Sequence, residues 1–422
     1  MKVLIVNTSE EGGGAAVAAS RLREALTNNG VKAFMLVRDD GLASRWHFLW
    51  ERVVIWLSNL LSRRHLFQVS IANAGTDITK TQEFQNADIV HLHWVNQGFL
   101  SLKGIQKILR SGKPVVWTMH DMWPMTAICH HAYECERYQE ACGQCHFLRR
   151  PGADDLSASV FRKKQKVLAD ADRLVFVAVS HWLAGRAQKS ALVGSFPIKV
   201  IPNVLPLQQF TIVNRLDAQT ALDAEAPHVI AFGAARIDDP IKGFSYLVEA
   251  LRILTGEGGP YRADDFRLLL FGQVRDRAVL DTIPVPYVHL GFVDDAYRLS
   301  QIYSAAHVTV SSSLYETFGQ TLIEAMACGS VPVSFDGAGQ TDIIQHQQNG
   351  YLARRLSAQS LAEGISWALQ CGLSAQELRR SVIRRYSEQV VARQYINLYE
   401  KLREESGERR EESGERREKS GE

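Results

Sequence analysis

The sequence predicts an α/β protein built from two doubly wound, Rossmann-like domains that face a cleft. Three observations carry this expectation. Short apolar runs alternate with stretches of helical periodicity along almost the whole chain. The alternation restarts near Pro227, after a polar stretch, which marks a second domain. Glycines and other small residues follow several of the apolar runs, where strand-to-helix turns belong.

The elements follow in order. KVLIV (Lys2–Val6) reads as a first buried strand, the glycines Gly12–Gly14 as a turn, and Ala15–Asn29 as a helix that Gly30 stops. VKAFMLV (Val31–Val37), DIVHLHW (Asp88–Trp94), KPVVWTMH (Lys113–His120), RLVFVAVS (Arg173–Ser180) and IKVIPNV (Ile198–Val204) read as further strands. Helices are expected over Ser101–Arg110 and Ser157–Asp170. The polar segment Gln208–Glu225 reads as a linker. The second cycle runs through HVIAFGAAR (His228–Arg236), a helix over Gly243–Leu254, and strands at Phe266–Gly272, Tyr287–Val293, Ala306–Ser313 and Ser330–Asp336. Ala358–Gln370 is helical, with Ser357 as N-cap.

The expected domains are therefore 1–206 and 207–386. A carboxyl-terminal helix is expected over 387–403, and a charged repeat tail over 404–422. That tail repeats EESGERR at Glu404–Arg410 and Glu411–Arg417 with no apolar residue, so a coiled coil is excluded and a disordered or weakly helical segment is expected.

The bulk numbers exclude several classes. With 422 residues, 46% hydrophobic and 22% charged, the chain has the makeup of an ordinary globular protein and needs no disulfide or metal staple for its core. A net charge of +2, from 48 basic and 46 acidic residues, gives no case for nucleic acid. The amino-terminal apolar run, Val3–Val6, is too short for a signal segment, and no run reaches the ~18 residues of a spanning helix. The cytoplasm is the default expectation, and six cysteines there suggest metal ligands or free thiols before disulfides.

Four motifs carry chemistry. SSLYETFGQTLIEAMACG (Ser312–Gly329) runs from a strand end through a loop into a helix, with Glu316 on the loop and Glu324 on the helix. A helix N-terminus near Gly319 favours an anion, whereas carboxylates suit hydroxyls. The stretch thus fits a ligand with phosphate between hydroxylated rings; the plainer reading makes both acids solvated surface residues. FGAARIDDPIKG (Phe232–Gly243) offers Arg236 and Lys242 at a strand end, able to neutralise a pyrophosphate or to serve as ordinary surface cations. SEEGGGAAVAAS (Ser9–Ser20) is a glycine turn that admits a ligand close to backbone, but Val17 stands where the dinucleotide fingerprint needs its last glycine. VVWTMHDMWP (Val115–Pro124) places His120 and Asp121 at the end of an apolar strand, where His120 is either a donor to a sugar hydroxyl or phosphate or a satisfied structural residue.

Together these motifs resemble glycosyltransferase family 4, whose members have the two-domain GT-B fold. The resemblance rests on the paired acids Glu316 and Glu324, the Arg236…Lys242-Gly243 element and the Gly13-Gly14 loop. The stretch HLHWVNQGFLSLKGIQKILRSGKPVVWTMHDMWPMTAICH is similar to the branch of colanic-acid-type and other exopolysaccharide transferases. The resemblance implies a retaining transfer of a sugar from a nucleotide-diphosphate donor to a glycan or lipid-linked oligosaccharide, without a catalytic metal. It implies that 1–206 is the acceptor-side domain, that 207–386 binds the donor, that the 387–403 helix packs back toward the first domain, that Glu324 holds the donor ribose and that Glu316 faces the donor sugar. Phe318, Gly319 and Gln320 meet sugar and diphosphate, Arg236 and Lys242 stabilise the leaving diphosphate, and His120 lies near the transferred sugar. Ala234 and Ala235 depart from the Gly-Arg start common in that family. Two rivals are a dinucleotide-binding oxidoreductase, disfavoured at Val17, and a non-catalytic sugar-nucleotide-binding scaffold of the same fold.

Two segments stand outside this scheme. Cys129, Cys135, Cys142 and Cys145 fall within seventeen residues at a spacing suited to a tetrahedral structural zinc, with free thiols as the alternative. RWHFLWERVVIWLSNLLSRRHLF (Arg45–Phe67) is rich in Trp, Leu and Arg. It reads first as an internal helix covering the sheet and second as a peripheral membrane contact.

Overall fold

The computed structural model describes the backbone of residues 1–420 and the side chains of residues 1–405. It divides into two compact units, residues 1–202 together with the chain from Val391 onward, and Asn203–Val390.

The first unit holds β1 (Lys2–Val6), α1 (Gly14–Asn28), β2 (Lys32–Leu36), α2 (Leu42–Ser58), α3 (Gln82–Asn86), β3 (Ile89–Leu92), α4 (Leu102–Leu109), β4 (Val115–Met119), α5 (Leu156–Leu168), β5 (Leu174–Ala178), α6 (His181–Gln188) and β6 (Ile198–Val200). Its sheet has the order β2-β1-β3-β4-β5-β6, and every pair is parallel. The apolar runs explain this placement. Val3–Val6, all of β3, all of β4 and all of β5 are buried, as strands covered on both faces must be. Helix starts are set by Ser101, Asp155 and Ser180, whose side chains accept from the backbone N–H of Gly104, Ala158 and Leu183.

The second unit holds α7 (Arg215–Thr220), β7 (His228–Arg236), α8 (Phe244–Thr255), β8 (Phe266–Gln273), β9 (Tyr287–His289), α9 (Ala296–Ala305), β10 (Val308–Ser311), α10 (Gln320–Ala327), β11 (Val331–Phe335), β12 (Tyr351–Ala353), α11 (Ala358–Gln370) and α12 (Ala375–Tyr386). Its parallel sheet has the order β12-β11-β10-β7-β8-β9. Each sheet winds outward from its first strand in both directions. The order therefore reverses between β1 and β3 in one unit and between β7 and β10 in the other. At such a reversal neighbouring turns part on opposite faces and leave a crevice at the strand carboxyl ends.

The final helix, α13 (Glu388–Ser420), joins the first unit from Val391 on. Tyr395 and Tyr399 are buried there and bond Thr118 and His91 at 3.1 and 2.7 Å.

Two expectations are corrected. The segment Gln208–Glu225 is no mere linker: it contains α7, and it buries Phe210, Ala218 and Leu222. The repeat tail, expected to be disordered or weakly helical, carries the backbone of α13 on to Ser420; its side chains from residue 406 lie outside the described residues. The first reading of Arg45–Phe67 also fails. α2 buries Ser44, Glu51, Arg52 and Ile55, while most of its large apolar side chains are exposed.

Candidate functional site

In the second unit the site forms where β7 and β10 lie side by side. The turn after β7 passes through the short helix Pro240–Lys242 to Gly243, whose φ of +63° is left-handed. A Cβ at Gly243 would fall 2.1 Å from the Ser312 carbonyl oxygen, so only glycine lets the two turns touch. Ser312 Oγ donates to the Gly243 and Lys242 carbonyls at 2.8 and 3.2 Å, and Leu314 N–H to the Ile241 carbonyl at 2.8 Å. This contact brings Lys242 Nζ to 3.2 Å from Glu316 Oε2, with both side chains about a quarter to a third exposed.

Beyond Glu316, the chain turns through Gly319 (φ +108°) into α10, where Leu322 N–H donates to the Gly319 carbonyl at 3.0 Å and the positive end of the helix dipole lies at the turn. Gly339 N–H donates to the Glu316 carbonyl at 2.7 Å, and a Cβ on Gly339 would lie 2.1 Å from the Thr317 carbonyl. Among the described residues, two buried amide atoms here, Gln320 Nε2 and Gln340 Oε1, have no hydrogen-bond partner. Buried polar atoms of that kind are costly unless a ligand or water completes them.

The other residues expected in this unit behave differently from one another. Glu324 is no surface acid: it is only 6% exposed and accepts from Tyr303 Oη at 3.1 Å. Phe318 is buried edge-on against Tyr386 and cannot offer its ring to a ligand; its backbone is what the turn presents. Arg236 ends β7, and its Nη2 lies 3.0 Å from Asp239 and its Nε 3.6 Å from Asp238, so its charge is already shared with two acids of its own loop.

In the first unit, Gly12 and Gly13 have φ of +81° and +90°, and Gly14 opens α1. No atom lies within 4 Å of a Cβ built on Gly12 or Gly13, so backbone conformation rather than packing requires glycine there. β3 and β4 are neighbours, which sets the residues just past their ends side by side. His93 Nδ1 and His120 Nε2 are thereby 2.8 Å apart, with the rings stacked at 5.1 Å. Burial pushes His120 down to about 4, offset in part by the Asp121 charge. Burial, together with the neighbouring His91 and His120, holds His93 well below its usual value. Both imidazoles are therefore neutral near pH 7, and one must donate to the other. Asp121 accepts from Trp94 Nε1 at 2.8 Å and from Trp123 N–H at 2.8 Å, and it pairs with His130 Nδ1 at 2.6 Å.

The four cysteines lie along one cavity of about 20 Å³. Cys129 is buried, and burial raises the Cys142 and Cys145 thiols to about 11. Among the described residues, no group of three or more His, Cys, Asp or Glu side chains is in place to hold a metal ion.

Sequence reading missed Tyr303, Ser312, Gly339 and His93. Tyr303 lies on α9 and Gly339 after β11, so no local spacing links them to Glu324 or Glu316. His93 could have been found, since HLHW and WTMH end two strands that a doubly wound order makes neighbours.

Comparison with known proteins follows the same division. Residues 12–209 match the family model described as Glycosyltransferase Family 4, and residues 217–388 match the one described as Glycosyl transferases group 1. The phosphatidyl-myo-inositol mannosyltransferase of Mycobacterium tuberculosis is 31% identical over 236 residues, covering 53% of this chain and 58% of that protein. The match thus spans little more than half of that relative's length. The putative colanic acid biosynthesis glycosyl transferase WcaC of Escherichia coli is 21% identical, covering 74% of this chain and 76% of that one. Among solved structures, sucrose-phosphate synthase from Thermosynechococcus elongatus superposes with a TM-score of 0.66 at 19% identity, covering 95% of this chain and 98% of that one. The Anabaena HepE protein in complex with UDP-glucose gives a TM-score of 0.62 at 17% identity, covering 95% and 100%. The chain is thus a glycosyltransferase family 4 domain followed by a glycosyltransferase group 1 domain, in the two-sheet GT-B architecture.

Proposed function

We propose that this chain is a retaining glycosyltransferase. It moves a sugar from a nucleotide-diphosphate donor to a hydroxyl of a glycan or lipid-linked acceptor in surface polysaccharide or glycolipid assembly. The observation that carries the reading is the second unit's topological reversal, where Lys242, Glu316 and the Gly319-capped start of α10 come together. In this reading Lys242 and the α10 N–H groups take the charge that grows on the leaving diphosphate, so no catalytic metal is needed. Glu316 faces the donor sugar, Glu324 with Tyr303 receives the ribose hydroxyls, and Gln320 finds in the donor the partner its amide lacks. Arg236 is a weaker candidate for diphosphate than Lys242, because Asp238 and Asp239 already draw on it. In the first unit His120, kept neutral and oriented by His93, serves as a hydrogen-bond partner for a sugar hydroxyl, and the Gly13-Gly14 turn lets backbone approach the substrate. The HepE complexes with UDP and with UDP-glucose support a nucleotide-sugar donor, and the name of the mycobacterial relative supports sugar transfer.

A thermal-shift screen against UDP-, GDP- and dTDP-sugars tests the donor. The correct nucleotide at about a hundred times its Kd should stabilise the protein by about 2.7 kcal/mol. A flat response to every nucleotide sugar would end the proposal. The structural zinc is a separate proposal, supported by four thiols sharing one cavity, and it requires those side chains to close on the ion. Elemental analysis should find about one zinc per chain; none, with all four thiols titratable, would remove it.

A further inference from the structure

α2 is amphipathic in the reverse of the usual sense. The charged pair Glu51 and Arg52 is buried, at 0% and 6% exposure, with their groups 2.9 Å apart. Glu51 Oε1 accepts from the N–H groups of Ile71 and Ala72 at 2.7 and 2.8 Å, and Arg52 donates to the carbonyls of Leu66 and Val69. These bonds fix the helix to the unit by its polar side. The opposite side carries Leu42, Trp46, Leu49, Trp50, Val53 and Leu57, spaced by three or four residues and between 39% and 85% exposed. Trp46 and Trp50 stack at 6.4 Å.

The apolar surface continues past the helix. Leu60 and Leu61 have φ of 52° and 60°, a left-handed conformation that leucine rarely adopts, and the turn holds both outward at 41% and 57% exposure. Phe67 is 63% exposed. Nine of the fifteen large apolar side chains exposed among the described residues fall between Leu42 and Phe67.

Charge selects the partner. From Gly41 to Gln68 the exposed charged residues are Arg45, Arg63 and Arg64; Glu51, the one acid in that stretch, is buried. The Arg149 N–H donates to Asn59 Oδ1 at 2.5 Å, which brings exposed Arg149 and Arg150 to the same end of α2 as Arg63 and Arg64. The exposed acids Asp39 and Asp40 lie at the other end, before the helix. No helix among the described residues is long and apolar enough to cross a membrane.

We propose that the α2 face and the Leu60–Phe67 turn dock this protein on an anionic lipid surface. The tryptophans and leucines enter the interface, and the arginines meet lipid phosphates. A second copy of the chain would bury the apolar stripe equally well but would set five arginines against five others, so charge favours the lipid. The docking is independent of sugar transfer and is read without donor or acceptor.

The full chain is floated with vesicles of phosphatidylcholine alone and of phosphatidylcholine with phosphatidylglycerol. The wild type should float with the anionic vesicles and release at about 0.5 M salt, where the Debye length falls well below 8 Å. Trp46→Ser with Trp50→Ser should weaken binding at least about tenfold, and Arg63→Ser with Arg64→Ser about 25-fold, near fivefold per arginine. All four positions are exposed, so melting temperatures should match the wild type. Failure of the wild type to float, or equal flotation on neutral vesicles at all salt concentrations, would overturn the proposal. So would a wild-type dimer that the tryptophan variant dissociates, with no vesicle binding by either. If a variant melts early, the salt series on the wild type still decides.

Discussion

The two sheet reversals have one topology and opposite chemistry. At β7/β10 the chain places a half-buried ion pair, a left-handed glycine and a helix terminus. At β1/β3 and the adjoining end of β4 it places glycines and imidazoles that burial keeps neutral. A charged site suits a ligand that gains negative charge, whereas neutral hydrogen-bonding groups suit a hydroxyl. Topology thus chose where each unit opens a crevice, and a handful of side chains chose its chemistry.

This contrast can be broken by substitution. Lys242→Ala and Glu316→Ala should each lower turnover about 10²- to 10³-fold, the usual loss when a group that stabilises transition-state charge is removed. His120→Ala should cost less, about tenfold, because it removes a neutral hydrogen bond. Steady-state rates with the donor found by thermal shift would measure both, and an equal loss at His120 and Lys242 would erase the distinction.

Acid should sharpen the same contrast through stability. Folded His120 titrates near 4 and His91 near 3, both because of burial, while the unfolded histidine titrates near 6.5. Above 6.5 neither state takes the proton and stability is complete. As pH falls below 6.5 the unfolded chain binds protons that the folded one refuses. Stability is therefore lost toward the folded values, by up to about 1.4 kcal/mol per pH unit for each such histidine. The second unit carries His307, also lowered to about 4, but it precedes β10 and lies at the other end of that strand from Glu316. Thermal melts between pH 7.5 and 4.5 should show the loss, and His120→Asn should flatten the slope. A melting temperature constant over that range would contradict the burial of His91 and His120 in their neutral forms.

The smallest effect on turnover is expected at Tyr303→Phe. It deletes one hydrogen bond to a buried carboxylate and should cost about 1.5–3 kcal/mol of stability. If Glu324 also holds donor hydroxyls, donor KM should rise while kcat changes little; a loss in kcat alone would reassign it.

Much of the architecture was legible in one dimension. The apolar runs of β1, β3, β4 and β5 are buried on both faces, and such runs announce parallel strands whatever their partners are. Ala358–Gln370 was legible to the residue because Ser357 caps it and its apolar positions repeat at helical spacing. Glu316, Lys242 and Gly319 could be read from their place at strand ends. α2 was misjudged because periodicity shows that a helix has two faces and not which of them turns inward. The buried bonds of Glu51 and Arg52 to a later loop made that choice.

By itself, then, the sequence determined the strands, the helices, the glycine turns and the identity of the charged residues, since these depend on local periodicity and backbone sterics. Only the tertiary structure decided that Lys242 meets Glu316 across 74 residues, that Tyr303 holds Glu324, that His93 holds His120, and that α2 faces outward. Strand order and packing bring such partners together, and neither is written in the spacing of residues along the chain.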